Sequence, residues 1–148
     1  MFVPPTGLDG PYSAPMSTGL SYSRLDLPFG FAAGATAAYT GFYPRTVGFG
    51  RSRMITWAAE LGYPVQFDLG ADSFLLLVPT LGTGLYHRWF EFESDWLYAA
   101  RPIATAKIGL ALITRARASL GLSIQAVLYF DNTVRLTAGV GQSAGVVF

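Results

Sequence analysis

Side chains of opposite character alternate along several long segments of this chain. Every second residue from Ile55 to Phe67 is apolar or aromatic, and the residues between them are mostly small or polar. The same alternation recurs over residues 96–114, 118–130 and 134–148. Period two is the repeat of a β-strand, because its successive side chains point to opposite faces of the sheet. The pattern therefore predicts an all-β fold.

Turn residues divide the chain into seven strands. Gly, Pro, Asp, Asn and Ser gather between the alternating segments, where they favour turns. Several of the resulting strands are longer than the mean of about five or six residues. They match or exceed the roughly 9–11 residues that a tilted strand needs to cross a bilayer. The predicted strands span residues 16–24, 30–43, 53–67, 73–90, 96–114, 117–130 and 134–148.

A membrane-spanning helix is the first alternative to consider. The longest charge-free run, from Leu27 to Pro44, has 18 residues, and about 20 apolar residues make a spanning helix. Prolines lie near both ends of the run, however, and three glycines interrupt it. Strands therefore explain this run better than a helix does.

Composition indicates which face of the sheet lies outside. Charged residues make up 13% of the chain, about half of the usual share in soluble domains. The less apolar face carries mainly Gly, Ser, Thr and Ala, which suit the narrow interior of a barrel better than a surface in water. The apolar face would then contact lipid. We predict an antiparallel up-and-down transmembrane β-barrel of about eight strands, and a soluble β-barrel that binds an apolar ligand is the alternative.

Aromatic residues gather near the two ends of the predicted strands. Such belts are typical of the two interfaces of a membrane, where amphipathic rings favour the headgroup level. Core aromatics that happen to lie there are the alternative. One belt comprises Tyr39, Phe42, Tyr43, Trp57, Tyr86, Trp89, Phe90, Trp96, Tyr98, Tyr129 and Phe130, and the other Phe29, Phe31, Tyr63, Phe67, Phe74 and Phe148.

The chain ends in GQSAGVVF, an apolar strand that closes on Phe148 with Val146 and Ala144 on the same face. It resembles the C-terminal strand of Gram-negative outer-membrane β-barrel proteins, and the length of the chain suits their eight-stranded class. The resemblance implies an outer-membrane location, contact with outer-membrane lipid and lipopolysaccharide, and recognition of Phe148 and Val146 by the barrel-assembly machinery during biogenesis. It fits a structural, surface-exposed or assembly role, with protein partners in a larger outer-membrane assembly.

The first 15 residues are set apart by their Pro and Gly content. We divide the chain into an N-terminal segment, residues 1–15, and a barrel, residues 16–148. Bacterial single-chain barrels have an even number of strands. An eighth strand is therefore expected within residues 1–15, before residue 1, or by division of one long segment. Residues 1–15 lack the charged and apolar regions of a signal peptide, and we expect any export signal to have been removed before residue 1.

Four charged residues have inward parity, which means that they occupy the alternate strand positions whose side chains point to the inner face: Glu60, Arg101, Lys107 and Arg135. A carboxylate in a narrow interior needs cationic partners. We therefore predict a lumen charge network in which Glu60 pairs with Arg101 or Lys107. This network predicts a mostly filled lumen, and a constriction that selects small anions in a solute pore is the alternative.

Three arginines cluster around a predicted external loop: Arg45, Arg51 and Arg53. The short turns at residues 68–72 and 114–117 are expected on the periplasmic side, which leaves the loops at 45–52 and 90–95 outside. A guanidinium group can bind phosphate through two hydrogen bonds. We therefore predict contact between these arginines and lipopolysaccharide.

The sequence contains one weak candidate for a catalytic site. His87 is the one histidine, and Ser94 and several acids follow it closely, as a lipid-modifying outer-membrane hydrolase would require. Their spacing supports no catalytic triad. Without cysteine, a metal-binding cluster or a phosphate-binding loop, we expect no enzyme activity, no cofactor and no metal. A net charge of +1 also argues against nucleic acid as a partner.

Overall fold

The computed structural model of the chain describes residues 2–3, 16–25, 27–42, 51–70, 72–92, 95–130 and 134–147. Nearly all of them belong to strands. One turn of 3₁₀ helix, Pro28–Gly30, precedes the third strand, and the described residues include no helix long and apolar enough to cross a membrane. The strands are β1 (Phe2–Val3), β2 (Met16–Arg24), β3 (Ala32–Phe42), β4 (Ser52–Gly62), β5 (Val65–Gly70), β6 (Ser73–Phe92), β7 (Asp95–Ile113), β8 (Ala118–Phe130) and β9 (Val134–Val146).

The pairing of these strands confirms the predicted all-β, antiparallel up-and-down fold. The strands pair in chain order around a curled sheet, which we call the wall. β1 pairs with both β2 and β9. β4 and β5 share one partner and one register, since Gly62 lies opposite Thr80 and Val65 lies opposite Leu77 on β6. They therefore count as one strand of the wall, and the sheet is a curled arrangement of eight.

All seven strands predicted from the sequence are present, and the largest difference lies in residues 53–67. The structure ends β4 at Gly62 because Pro64 has no N–H group to donate across the sheet. The backbone N–H of Tyr63 still donates to the carbonyl oxygen of Pro79 at 3.1 Å. The register is therefore kept across the interruption.

The eighth strand is β1, the shortest strand of the wall. Phe2 lies opposite Ser17 on β2 and opposite Gly141 on β9. Of the three places considered for this strand, the structure supports residues 1–15, a segment in which it describes two residues. The wall is therefore completed at this position by a very short strand.

The hairpin of β6 and β7 extends beyond the ends of the strands beside it. Its pairing is continuous up to Phe92, which lies opposite Asp95. β8 pairs with β7 only up to Ile103. Among the described residues, the edge of β7 from Asp95 to Pro102 therefore has no strand beside it on the β8 side.

The two faces of the sheet differ as the alternation predicts. On β4, Met54, Ala58 and Glu60 are buried inside the curl, while Ile55 and Trp57 are exposed outside it. Across the described residues eight apolar side chains are buried, whereas 27 large ones are exposed. An exposed apolar face of this extent marks a surface that contacts something other than water.

An apolar cluster fills the interior near one end. Met54, Tyr86, Ile103 and Val127 are buried together and pack against Tyr129. Tyr86 and Tyr129 meet edge to face, with ring centroids 5.4 Å apart. The prediction that these two tyrosines belong to an aromatic belt is wrong, because both have inward parity and their rings fill the lumen.

Two glycines on β6 let the sheet curl sharply. Gly82 and Gly84 face inwards where β4 passes close to β6. A Cβ atom on Gly82 would lie 2.6 Å from the carbonyl oxygen of Ala59, and one on Gly84 would overlap the carbonyl oxygen of Trp57. Side chains at these positions would hold β4 away from β6 and flatten the sheet.

Replacing Gly84 with Ala is expected to destabilise the fold by about 1–3 kcal/mol, the range for overpacking a filled interior. The matched control is Gly109→Ala, because Gly109 also faces inwards and its Cβ would lie 3.8 Å from the nearest atom, the carbonyl oxygen of Val78. Denaturant unfolding of both variants measures the difference. Equal stability of the two would contradict the close approach of β4 to β6.

Candidate functional site

A buried ion pair lies in the middle of the interior. Lys107 on β7 donates from Nζ to Oε2 of Glu60 on β4. The side chain of Glu60 is 6% exposed and that of Lys107 is 22% exposed, so the pair is largely removed from water. Thr36 on β3 donates its hydroxyl to Oε1 of Glu60 at 3.5 Å. Both oxygens of the buried carboxylate thus have a donor, which offsets the cost of removing the charge from water.

Gly82 explains how side chains from β4 and β7 meet across β6. It lies opposite Glu60 on one side and opposite Thr105 on the other. Gly82 has no side chain to separate them, and the long side chain of Lys107 covers the remaining two-residue step along β7. The ion pair and Thr36 therefore connect β3, β4 and β7 around the inside of the curl.

Arg101 lies too far along β7 to reach Glu60. It is four residues from Thr105, about 13 Å at the rise of a strand, whereas Lys107 is two residues away in the other direction. The guanidinium of Arg101 is exposed and donates from Nη1 to the carbonyl oxygen of Ala100 at 2.9 Å. Of the two partners predicted for Glu60, the structure therefore brings Lys107 to it.

Other polar groups on the inner face are paired with one another. Arg88 donates from Nε to the hydroxyl oxygen of Ser52 at 2.8 Å, and Ser52 is almost completely buried. The buried hydroxyls of Ser17 and Thr40 lie 2.6 Å apart. In the sequence, the one signal that could have pointed to these three hydroxyl groups is their position on the inward-facing side of each strand. The side chain of Arg135, the fourth predicted member of the network, lies outside the part of the chain that the structure describes.

The described part of the inner face therefore presents hydrogen-bonded polar groups and the ion pair of Glu60 and Lys107. Among the described residues, every buried side-chain nitrogen or oxygen has a hydrogen-bond partner. No group of three His, Cys, Asp or Glu side chains in the same part of the chain could hold a metal ion. Tyr86 and Tyr129 fill one end and the pair of Glu60 and Lys107 occupies the middle, an arrangement that favours a plug over an open channel.

On the outer face, a histidine lies within a group of aromatic rings. Trp57 donates from Nε1 to Nε2 of His87 at 3.2 Å, and Nδ1 of His87 lies 2.6 Å from the hydroxyl of Tyr98. His87 also stacks on Trp89 and Tyr98, with ring centroids 6.4 and 6.0 Å apart. Because Nε2 accepts a hydrogen bond, it carries no proton. The proton of neutral His87 is therefore on Nδ1, which donates to Tyr98.

This arrangement weighs against the hydrolase alternative. The histidine of a Ser-His-acid triad accepts from the serine on one nitrogen and donates to a carboxylate from the other. At His87 those two positions are taken by Trp57 and Tyr98. Ser94, the candidate nucleophile, lies outside the described residues. The hydrogen bonds of His87 thus orient the neighbouring rings of Trp57 and Tyr98.

Two of the three arginines predicted to contact lipopolysaccharide lie at the start of β4, at the same end as the ring group. Arg51 is exposed, and its backbone N–H donates to the carboxylate of Glu91 at 3.2 Å. The guanidinium carbon of the exposed Arg53 lies 5.3 Å from the ring centroid of Trp96, within the range of a cation–π interaction. Arg45 lies outside the described residues. The rim therefore carries exposed guanidinium groups beside aromatic rings.

The predicted assembly signal is described in part. Val146 is exposed on the outer face and lies opposite Ala118 on β8. Val147 donates to the carbonyl oxygen of Arg117 at 2.8 Å, which ties the end of the chain to the turn before β8. Phe148 lies outside the described residues.

Comparison with known proteins adds no family. No protein-family model, no curated protein and no solved structure matches the chain. Its function is therefore argued from the fold and from the chemistry of its two faces.

Replacing Glu60 with Ala is expected to cost about 3–5 kcal/mol, because Lys107 would remain as an unpaired charge in the interior. The matched control is Leu61→Ala on the outer face, which should cost less because Leu61 is already 54% exposed. A double-mutant cycle with Lys107→Met measures the coupling between the two charges. A larger loss for Leu61→Ala, or the absence of coupling in the cycle, would contradict the pairing.

Proposed function

We propose that this chain is an outer-membrane β-barrel with a structural, surface-exposed or assembly-component role and a salt-bridged, mostly filled lumen. The observation that carries the proposal is the distribution of side chains between the two faces. Large apolar side chains such as Leu81, Leu122 and Leu136 are more than half exposed on the outside, while the ion pair and the paired hydroxyls point inwards. This distribution is unfavourable in water and favourable in a bilayer, where lipid contacts the outer face.

A band of aliphatic side chains runs across three neighbouring strands. Leu77 on β6 lies opposite Leu110 on β7, which lies opposite Leu122 on β8. Full burial of a leucine side chain away from water contributes about 1.5–3 kcal/mol. The pairing of β6 with β7 and of β7 with β8 also satisfies the backbone groups along this band, as a bilayer requires. The next level of the band consists of Leu75, Leu112 and Leu120.

The ring group around His87 supports an interfacial position for its end of the sheet. Trp57, Trp96 and Tyr98 are about half exposed on the outer face, and each combines an apolar ring with a hydrogen-bonding group. Side chains of this kind favour the headgroup level of a membrane. At the other end Phe31 and Tyr63 are exposed and meet edge to face, with ring centroids 6.0 Å apart.

The filled interior favours a structural role over the other functions considered. A solute pore needs a continuous aqueous path, whereas the rings of Tyr86 and Tyr129 and the ion pair of Glu60 and Lys107 occupy the lumen. A soluble binder of an apolar ligand needs an apolar cavity inside and polar side chains outside, the reverse of the distribution seen. A scaffold or a surface-exposed barrel needs no internal path.

The outer membrane is the proposed location because spanning β-barrels of bacteria are outer-membrane proteins. In that setting Arg45, Arg51 and Arg53 would contact the phosphates of lipopolysaccharide. The terminal strand with Val146 and Phe148 would be recognised by the barrel-assembly machinery during biogenesis.

Arginine substitutions along the outer face of β8 test the position in the bilayer. Leu122→Arg should destabilise the protein by about 2–4 kcal/mol near the midplane, and Phe130→Arg at the end of the strand should cost about 0–1 kcal/mol. Equilibrium unfolding in lipid vesicles measures both losses, and Ser123→Arg serves as the inward-facing control. The proposal fails if the losses are equal along the strand, or if the protein folds and stays soluble without lipid or detergent.

Replacing Arg45, Arg51 and Arg53 together by Gln should weaken association with lipopolysaccharide by about a hundredfold, at roughly 1 kcal/mol for each basic residue near a membrane surface. Binding of labelled lipopolysaccharide to vesicle-inserted protein measures the change. The control replaces Arg115 and Arg117, at the opposite end of the sheet, and should leave binding unchanged. Unaltered binding in the triple variant would refute the contact.

A further inference from the structure

His87 connects three strands on the outer face of the sheet. On β6 it lies opposite Ile55 of β4 and opposite Ala100 of β7. Its ring nitrogens reach residues two positions away on each neighbouring strand, Nε1 of Trp57 at 3.2 Å and the hydroxyl of Tyr98 at 2.6 Å. Diagonal contacts of this kind lie within reach of large side chains. One imidazole ring therefore links β4 to β7 across β6.

The hydrogen bond from Trp57 requires that His87 is neutral. An indole N–H group can only donate, so Nε2 of His87 accepts and carries no proton. Nδ1 already carries the proton of the neutral ring, and a second proton can therefore bind only at Nε2. Protonation would place two N–H donors against each other at this contact. The hydrogen bond from Trp57 would then be lost.

The hydrogen bond to Tyr98 does not depend on that second proton. Nδ1 of His87 carries a proton in both charge states of the ring, so it can donate to the hydroxyl of Tyr98 in both. The two rings also stack, with centroids 6.0 Å apart and an angle of 25° between their planes. A cation at about this distance is attracted to the face of an aromatic ring. The charged ring of His87 would therefore stay with Tyr98 on β7.

The other charged groups around His87 have different partners. The titratable and charged side chains on the surrounding strands are Arg53 of β4, Glu91 of β6 and Tyr98 of β7 on the outer side, and Arg88 and Arg101 on the inner side. The guanidinium of Arg53 contacts the ring of Trp96, and the carboxylate of Glu91 accepts from the backbone N–H of Arg51. Among the described residues, no carboxylate forms an ion pair with His87. The contacts that respond first to a charge on His87 are therefore its two hydrogen bonds.

We propose that the ring group is a pH-sensitive switch on the outer face: neutral His87 connects Trp57 on β4 to Tyr98 on β7, and protonation of His87 releases Trp57 alone. The indole of Trp57 is 46% exposed, so its released N–H group becomes available to an acceptor outside the sheet. The inference goes beyond the proposed function and does not rest on a membrane location, because these hydrogen bonds belong to the sheet in any medium.

Double-mutant cycles at two pH values test the switch. Imidazole side chains ordinarily change their charge between about pH 5 and pH 8, so the full chain is unfolded with denaturant at both ends of this interval. The cycle of Trp57→Phe with His87→Phe keeps aromatic rings at both positions and removes the hydrogen bond. The coupling, measured as a factor in the equilibrium constant of unfolding, is expected to be about fivefold larger at the higher pH, the net contribution of one hydrogen bond.

Two controls separate the release of Trp57 from a general effect of acid. The matched cycle pairs His87→Phe with Tyr98→Phe, and its coupling should remain at the lower pH because Nδ1 donates in both charge states. The second control is His87→Gln, whose amide oxygen can accept from Trp57 without titrating. In that background, Trp57→Phe should cost the same at both pH values.

The wild-type chain provides a readout that needs no substitution. Trp57 and Trp96 are 46% and 47% exposed, so NMR can compare the exchange of their indole N–H groups with solvent. Exchange at Trp57 relative to Trp96 should become about fivefold faster as the pH is lowered through the same interval.

Four outcomes would overturn the proposal. They are equal Trp57 coupling at both pH values, loss of the Tyr98 coupling in acid together with that of Trp57, a pH-dependent cost of Trp57→Phe in the His87→Gln background, and an unchanged exchange ratio in the wild-type chain.

Discussion

The interior of this curled sheet is so narrow that side chains from β4 and β7 share the same space across β6. Gly82 leaves that space open, and the pair of Glu60 and Lys107 fills it. A larger residue at Gly82 would push β4 outwards and leave a carboxylate without its cation. The volume inside the curl therefore limits which residues can face inwards, and it leaves most of the large apolar residues no position except the outer face.

The balance of forces in this fold depends on the medium around it. Inside, the ion pair and the paired hydroxyls are stabilised by their hydrogen bonds. Among the described residues eight apolar side chains are buried, and four of them belong to the cluster around Met54 and Tyr86. Outside, the exposed leucines would be unfavourable in water. Contact of the outer face with water would contribute little to the stability of such a protein. Its stability therefore comes from strand pairing and from contact of the outer face with a surface or medium other than water. The weakest part of that pairing is β1, which joins the first and last long strands through two residues.

Parity along each strand could be predicted from the sequence, and contacts between strands could not. Alternation placed Glu60, Lys107 and Arg101 on the inner face. The choice of Lys107 over Arg101 depends on the register of β4 and β7 on β6, which no local pattern contains. The ring group of Trp57, His87 and Tyr98 depends on the same registers. Tyr86 and Tyr129 were misplaced because their position near strand ends was given more weight than their inward parity.

Among the described residues, the hairpin of β6 and β7 leaves part of the β7 edge without a neighbouring strand beyond the end of β8. An open row of backbone groups is a template on which another chain can form a strand. On β7 this stretch begins at Asp95 and ends at Arg101 and Pro102. Proline offers no N–H group there, and charged side chains disfavour a flat partner of the same kind. Copies of this sheet that meet at their hairpins would therefore not join edge to edge along β7, and the sheet would not grow into a fibre from this rim.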